Sequence, residues 1–329
     1  MNFGIIGLGS IAAKFAKGIN KTRGAYLYAC ASRSIEKSEA FAMRFRADKA
    51  YGSYEELIND RNVDAVYIAL PHPFHCEWSV KAMEQGKHVL CEKPCGISAD
   101  EVRKMVGTAR ENKVYFAEGF MYRHHPQTFK LYDVITDKVL GDIKHIKASF
   151  GFPFLYSDPV PERIIRKDLG GGGIFDVGCY PLSYVRMILN MIEGGLTEPV
   201  FFQGVGVVNE DDIDMHTDAV MKFENGITAT ISTSIDSTQP NMCVIYGTKG
   251  YLSIKEPYTC GINKNTPVMT AHLLDGNMKR YYINADYLYT YEIESLIKYC
   301  DVGECPYITH QDSINNAEWI DLWQKQIRE

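Results

Sequence analysis

Three groups of residues in this chain have the types and spacing to do chemistry. The first is Glu92-Lys93-Pro94, which ends a short apolar run over residues 88–91. Such a run reads as a buried parallel strand, and open α/β sheets bind their ligands at the carboxyl ends of those strands. A lysine amine held there by a stiff prolyl turn is a candidate proton carrier. Taken alone, Glu92 and Lys93 read more readily as loop charges in solvent. The second group is Gly7-Leu8-Gly9-Ser10-Ile11-Ala12, a G-x-G-x-x-A between a minimal strand over 3–6 and an amphipathic helix to about residue 19. Gly7 makes the tight turn and Gly9 lets a pyrophosphate approach the backbone. Ser10 and Ile11 open a helix whose free N–H groups attract phosphate, and Ala12 permits close packing on the strand. The third group is Asp176 and Tyr180, four residues apart behind Gly170-Gly171-Gly172-Gly173. At helical spacing they share a face and can reach into a cleft together. A first-turn acid and an amphipathic core tyrosine would show the same pattern.

Two more loops belong to the same chemistry. A strand over 26–31 runs into Ser32-Arg33-Ser34, where NAD-preferring enzymes usually carry an acid for the ribose 2′-hydroxyl. No acid stands there. Ser32 and the Arg33 guanidinium suit a 2′-phosphate instead, bound through charge-assisted hydrogen bonds. The prediction is NADP, with NAD possible. A strand over 63–70 ends in Leu70-Pro71-His72-Pro73-Phe74-His75. Leu70 and Pro71 are expected at the cofactor, and His75 beside the nicotinamide ribose. His72 and His75 have a metal-like spacing, but no third ligand is apparent nearby, so no metal is predicted.

The elements that position these groups alternate. Helices are expected over 34–45, 54–59, 76–85 and 98–111, and strands over 88–92 and 113–117. This order predicts a doubly wound parallel Rossmann sheet as a dinucleotide-binding domain over 1–120. Residues 121–329 read as an α+β domain for substrate binding and oligomerisation. It opens with a helix over 126–140. Period-two segments follow over 143–152, 200–208, 216–223, 227–235, 242–246 and 251–255, and on either side of Asp275-Gly276-Asn277. Asn225-Gly226 is a hairpin signal. Helices over 287–300 and 311–327 finish the chain. The large, mainly antiparallel sheet is expected to be open-faced, and a partner's equivalent face would cover it in a homodimer or higher symmetric homo-oligomer. Phe150, Phe152, Phe154 and Tyr156 suit the apolar face of a sugar ring or a dihydrodiol, and equally a buried strand.

Composition narrows the partners. A chain of 329 residues exceeds what one hydrophobic core usually supports. A net charge of -6 argues against nucleic acid, and no apolar run is long enough to span a membrane. A strand beginning almost at Met1 leaves no expected signal peptide. Nine cysteines without a C-x-x-C pair fit reduced thiols in the cytoplasm.

Together these pieces resemble the glucose–fructose oxidoreductase / inositol dehydrogenase family. The matching pieces are the glycine turn, Cys91-Glu92-Lys93-Pro94, Tyr122-Arg123 with His125-Pro126, and Gly171-Gly172-Gly173 leading to Asp176 and Tyr180. The resemblance implies Lys93 as catalytic acid/base, often with a cis bond to Pro94. It implies Tyr180 sharing the proton or bonding the reacting oxygen, with Asp176 holding a substrate hydroxyl and orienting Lys93. Glu92 would be structural or a ribose contact rather than a catalyst, and Arg123 would line the cofactor side. Much of the family has histidine where Tyr180 stands. The tyrosine resembles the branch of trans-dihydrodiol dehydrogenases and NADP-dependent aldose 1-dehydrogenases. The implied activity is reversible hydride transfer between NADP and a polyol, aldose or vicinal diol. This fold also serves non-catalytic NADP-binding regulators and reductases of imines or tetrapyrroles. Lys93, Asp176 and Tyr180 together speak against a regulator.

Overall fold

The computed structural model describes residues 1–260, 262 and 266–329. Its first half is built of β1 (Asn2–Ile6), α1 (Ser10–Ile19), β2 (Tyr26–Ala31), α2 (Ile35–Phe45), β3 (Lys49–Tyr51), α3 (Tyr54–Asn59), β4 (Ala65–Ile68), α4 (His75–Glu84), β5 (His88–Glu92), α5 (Ala99–Asn112) and β6 (Phe116–Gly119). Then follow α6 (Pro126–Thr136), β7 (Ile143–Gly151), α7 (Glu162–Ile165), α8 (Cys179–Glu193), β8 (Pro199–Val208), β9 (Asp214–Phe223), β10 (Thr228–Ser234), β11 (Gln239–Gly247), β12 (Gly250–Lys255), β13 (Val268–Leu273), β14 (Met278–Tyr282), α9 (Leu288–Tyr299) and α10 (His310–Gln326).

Strands β1 to β6 form one parallel sheet in the order β3-β2-β1-β4-β5-β6. The order reverses between β1 and β4, which is where doubly wound sheets bind dinucleotides. Caps written in the sequence start the helices. Ser34 accepts from Lys37 N at 3.2 Å, Ser98 accepts from Glu101 N at 3.3 Å, and Ser53 with Glu56 forms a capping box. Each such cap contributes about 0.5–2 kcal/mol. The expected strand over 113–117 starts three residues late. Lys113 takes a left-handed conformation (φ 53°) and Val114 N still donates to Ala109 O, so these residues close α5 instead. Strand β3 was not anticipated, because three residues with an exposed lysine carry no apolar run.

The second sheet has the order β14-β13-β12-β11-β7-β10-β9-β8. Strands β7 and β10 run parallel, and every other adjacent pair is antiparallel. Helix α8 packs on β7 and β10, and α6 packs on α8. The opposite face is exposed. Register places Phe201, Lys222, Thr228, His145, Tyr246, Tyr251, His272 and Met278 in one row across it. Tyr251 and His272 stack there at 4.5 Å. No helix among the described residues is long and apolar enough to cross a membrane.

By its contacts the chain divides into two compact units, Met1–His124 with Asp286–Ala317, and His125–Ala285 with Glu318–Glu329. The sequence reading cut the chain once, at residue 120, and had no signal for the return of Asp286–Ala317 to the first unit. The physical reason is a small residue on α1. A Cβ at Gly18 would lie 2.8 Å from Tyr289 Cβ, and Phe15 meets the Tyr289 ring edge-on at 6.5 Å.

Candidate active site

The parallel sheet gathers the predicted cofactor residues at the carboxyl ends of its strands. Gly7 leaves β1 with φ 84°, and its N–H donates to Ala31 O at 3.1 Å. A Cβ there would run into the Ala69 carbonyl oxygen, so only glycine fits. A Cβ on Gly9 would meet nothing within 4 Å, which leaves its backbone open to a ligand. Helix α1 begins with Gly9 as N-cap, no side-chain cap and no acid in its first turn. Its amino-terminal donors are available to an anion, unlike those of the serine-capped α2, α3 and α5. Ser10 is exposed and Ile11 half-buried on this turn, while Ala12 is fully buried. These features fit a dinucleotide pyrophosphate.

At the end of β2, Ser32 is buried and its hydroxyl is engaged in the turn. It donates to Ser34 O at 2.7 Å and meets Ser38 Oγ at 3.0 Å. Arg33 is the group the loop presents: it is exposed and lies beside the Tyr54 hydroxyl.

The β4 and β5 ends are joined by one side chain. His75 is fully buried, with Nε2 2.7 Å from Leu70 O and Nδ1 2.8 Å from Pro94 O. Burial pushes its pKa down to about 4, so near neutrality the ring carries one N–H and donates to one carbonyl at a time. Both ring nitrogens face carbonyl oxygens, which leaves neither aimed at a metal. Leu70 and Pro71 themselves are half-buried at the mouth of this loop. His75, expected beside the nicotinamide ribose, ties the Leu70 loop to the Lys93 turn.

The Lys93–Pro94 bond is cis, and Lys93 is 9% exposed. Behind it Glu92 accepts from the Tyr67 hydroxyl and, at 3.3 Å, from Lys93 N. Burial raises the Glu92 pKa, against the lowering effect of Lys93. Tyr67 stacks on Phe15 at 3.6 Å. Burial, and after it the charge of Glu92, pushes the pKa of the fully buried Glu292 well above the usual carboxylate range. On the other side of the turn, Cys95 N donates to Glu118 Oε1 at 3.1 Å, and burial holds the Glu118 carboxyl at about 7. Arg123, predicted at the cofactor, is buried in an ion pair with Asp312 at 2.9 Å. Breaking such a pair by removing one partner costs about 3–5 kcal/mol.

In the second unit Asp176 and Tyr180 lie on one segment, but not on a plain α-helix. Ile174–Gly178 form a widened π-turn that continues as α8. Such turns are uncommon and concentrate at functional sites. Asp176 is buried and accepts from Arg163 Nη1, a partner that the sequence reading missed. Tyr180 packs edge-on to Phe150 at 5.4 Å and lies 5.8 Å from Tyr258. The aromatic run divides: Phe150 is core, whereas Phe152 and Tyr156 are exposed.

The family described as "Oxidoreductase family, NAD-binding Rossmann fold" (GFO/IDH/MocA) matches residues 1–120, and the GFO/IDH/MocA C-terminal domain matches residues 129–253. The chain belongs to this family. It is an NAD(P)-dependent oxidoreductase, with the parallel Rossmann sheet and mainly antiparallel second sheet expected from the sequence. The trans-1,2-dihydrobenzene-1,2-diol dehydrogenase of Xenopus tropicalis is 34% identical over 254 residues, 77% of this chain and 74% of its own. A D-xylose 1-dehydrogenase (NADP(+)) of Haloferax volcanii is 29% identical over 321 residues, 98% of this chain and 95% of its own. A 3-ketoreductase from Actinomadura kijaniata, solved with NADP and TDP-benzene, matches with a TM-score of 0.87 at 26% identity, covering 99% of this chain and 97% of that one.

Proposed function

We propose that this family member transfers a hydride between NADP and a sugar or vicinal diol, with Lys93 as the acid/base. The observation that carries the reading is the Lys93 turn itself. It ends β5, directly beside β4 at the switch point of the dinucleotide sheet, and His75 ties it to the Leu70 loop. NADP, when bound, supplies the redox chemistry. The chain's own residues bind and orient it and manage one proton. Gly7, Gly9, Ser10 and Ile11 receive the pyrophosphate, and Arg33 favours the 2′-phosphate. Leu70 and Pro71 flank the cofactor, with His75 setting their loop. Glu92, held by Tyr67, fixes the backbone of Lys93. The Lys93 amine takes the hydroxyl proton in oxidation and returns it in reduction. On the second unit Asp176 and Tyr180 offer polar groups for substrate hydroxyls, and Arg163 orients Asp176.

Names of the relatives support the substrate class: one acts on a dihydrodiol and another on D-xylose with NADP. The exposed face of the second sheet, with Phe201, Val205, Val220, Tyr246 and Tyr251 outward, supports a homodimer through that face. Eight buried cysteine thiols and one half-buried suit a reducing cytoplasm. The test is an anaerobic screen of NADP+ and NAD+ with D-xylose, D-glucose, myo-inositol and trans-1,2-dihydrobenzene-1,2-diol, and of NADPH with their carbonyl products. Turnover of at least one pair, faster with NADP, is expected. NADPH binding without turnover on the whole panel would contradict the reading.

A further inference from the structure

The four-glycine run before Asp176 brings its loop against a buried carboxylate. A Cβ on Gly172, which has φ 120°, would run into Asp214 Oδ1, and one on Gly173 would lie 3.3 Å from Asp214 Oδ2. Asp214, the first residue of β9, is completely buried. Its Oδ2 accepts from Ile174 N at 2.6 Å and its Oδ1 from Gln324 Nε2, on α10, at 3.3 Å. Ile174 is the first residue of the π-turn that carries Asp176 and leads into Tyr180. The charged neighbour acting on Asp214 is Arg328, beyond α10, whose guanidinium is itself bonded to Asp212.

We propose that Asp214 is a positioning residue: it fastens the glycine loop, and through Ile174 the Asp176–Tyr180 segment, to the edge of β9. This rests on the reading of Asp176 and Tyr180 as substrate groups. Gly171 completes the fit from the other side, since a Cβ there would press on the Ile164 and Arg166 carbonyls at 2.6 and 2.8 Å. The loop is glycine-rich because it is held between a carboxylate and a backbone.

Titration gives the fastening a signature. Burial raises the Asp214 pKa from 3.8 to about 6. Opening the loop returns the carboxyl to water, so the closed state binds more protons between those values and is favoured less as pH rises. The test is hydrogen exchange of the full chain, corrected for intrinsic rates, read at the amides of residues 172–178. Protection in the wild type should fall by about tenfold or more from pH 4 to pH 7. Asp214→Asn keeps an acceptor for Ile174 N and should show a flat profile with protection near the wild type. Asp214→Ala should lose about tenfold at these amides while strand β7 stays protected. Protection that follows the wild-type pH profile in Asp214→Asn would overturn the proposal, as would unchanged protection in Asp214→Ala. If the alanine variant does not fold, the asparagine profile decides alone. Turnover of Asp176→Asn and Tyr180→Phe on D-xylose and trans-1,2-dihydrobenzene-1,2-diol tests the underlying reading separately. Full activity there, with the exchange pattern intact, would remove the substrate role and leave Asp214 as the loop's anchor.

Discussion

Among single residues, Arg33 makes the most specific claim about the cofactor. Its neighbour Ser32 directs its hydroxyl into the turn, so the guanidinium is what the β2 end offers a ligand. A charge-assisted hydrogen bond is worth about 1.5–3 kcal/mol. Arg33→Ala should therefore reduce kcat/KM for NADP by roughly 10- to 100-fold while changing that for NAD by less than about threefold. Parallel steady-state kinetics with the two cofactors check this, and equal losses would move the selectivity elsewhere. The glycine turn, Arg33 and Lys93 were legible in the sequence because each sits beside a strand end that the apolar pattern marks. The partners of Glu92 and Asp176 were not. Tyr67 and Arg163 are joined to them only by folding, and neither carries a local pattern that singles it out.

For individual elements, the buried β6 edge of the Lys93 turn stores a measurable cost. Glu118 is on β6, accepts from Cys95 N, and is held at about 7 by burial against an ordinary 4.5. Its folded-state pKa lies above its unfolded value, so the native state binds the extra proton between those two values. Stability should then fall as pH rises from about 4.5 to about 7, by an amount on the order of 1–3 kcal/mol from this group. Glu118→Gln retains an acceptor for Cys95 N and loses the titration. Denaturant unfolding at pH 5 and pH 8 should show a smaller difference for the variant than for the wild type. An identical difference would clear Glu118 of the effect. Most elements follow from period and caps. Those that do not have a physical reason: β3 is too short to show a period, and Ile174–Gly178 widens to a π-turn where α-helical spacing was expected. The glycines announced a close approach there without saying to what, and only the fold supplies Asp214.

Across the whole molecule, two sheets match the family's architecture, and the second one leaves a face of mixed apolar and polar side chains exposed. In the row across that face Phe201, Tyr246, Tyr251 and Met278 are all exposed in the single chain, interleaved with Lys222, Thr228, His145 and His272. Burying such a face in a symmetric pair would stabilise the protein by mass action. Sedimentation velocity should give a dimer or larger closed oligomer for the wild type. Phe201→Glu with Tyr251→Glu should shift it to monomer, with NADPH affinity retained. A monomeric wild type at micromolar concentration would contradict the dimer.

Lys93 is proposed to carry the proton in an NADP-dependent oxidation or reduction of a hydroxyl-bearing carbon. The most direct measurement is the pair of constants for Lys93→Met: kcat on the best substrate of the screen, and the Kd for NADPH by fluorescence. Loss of a positioned acid/base predicts a fall in kcat of about 10²- to 10⁴-fold, with Kd within about threefold of the wild type. A variant that turns over at the wild-type rate would remove Lys93 from the proton transfer.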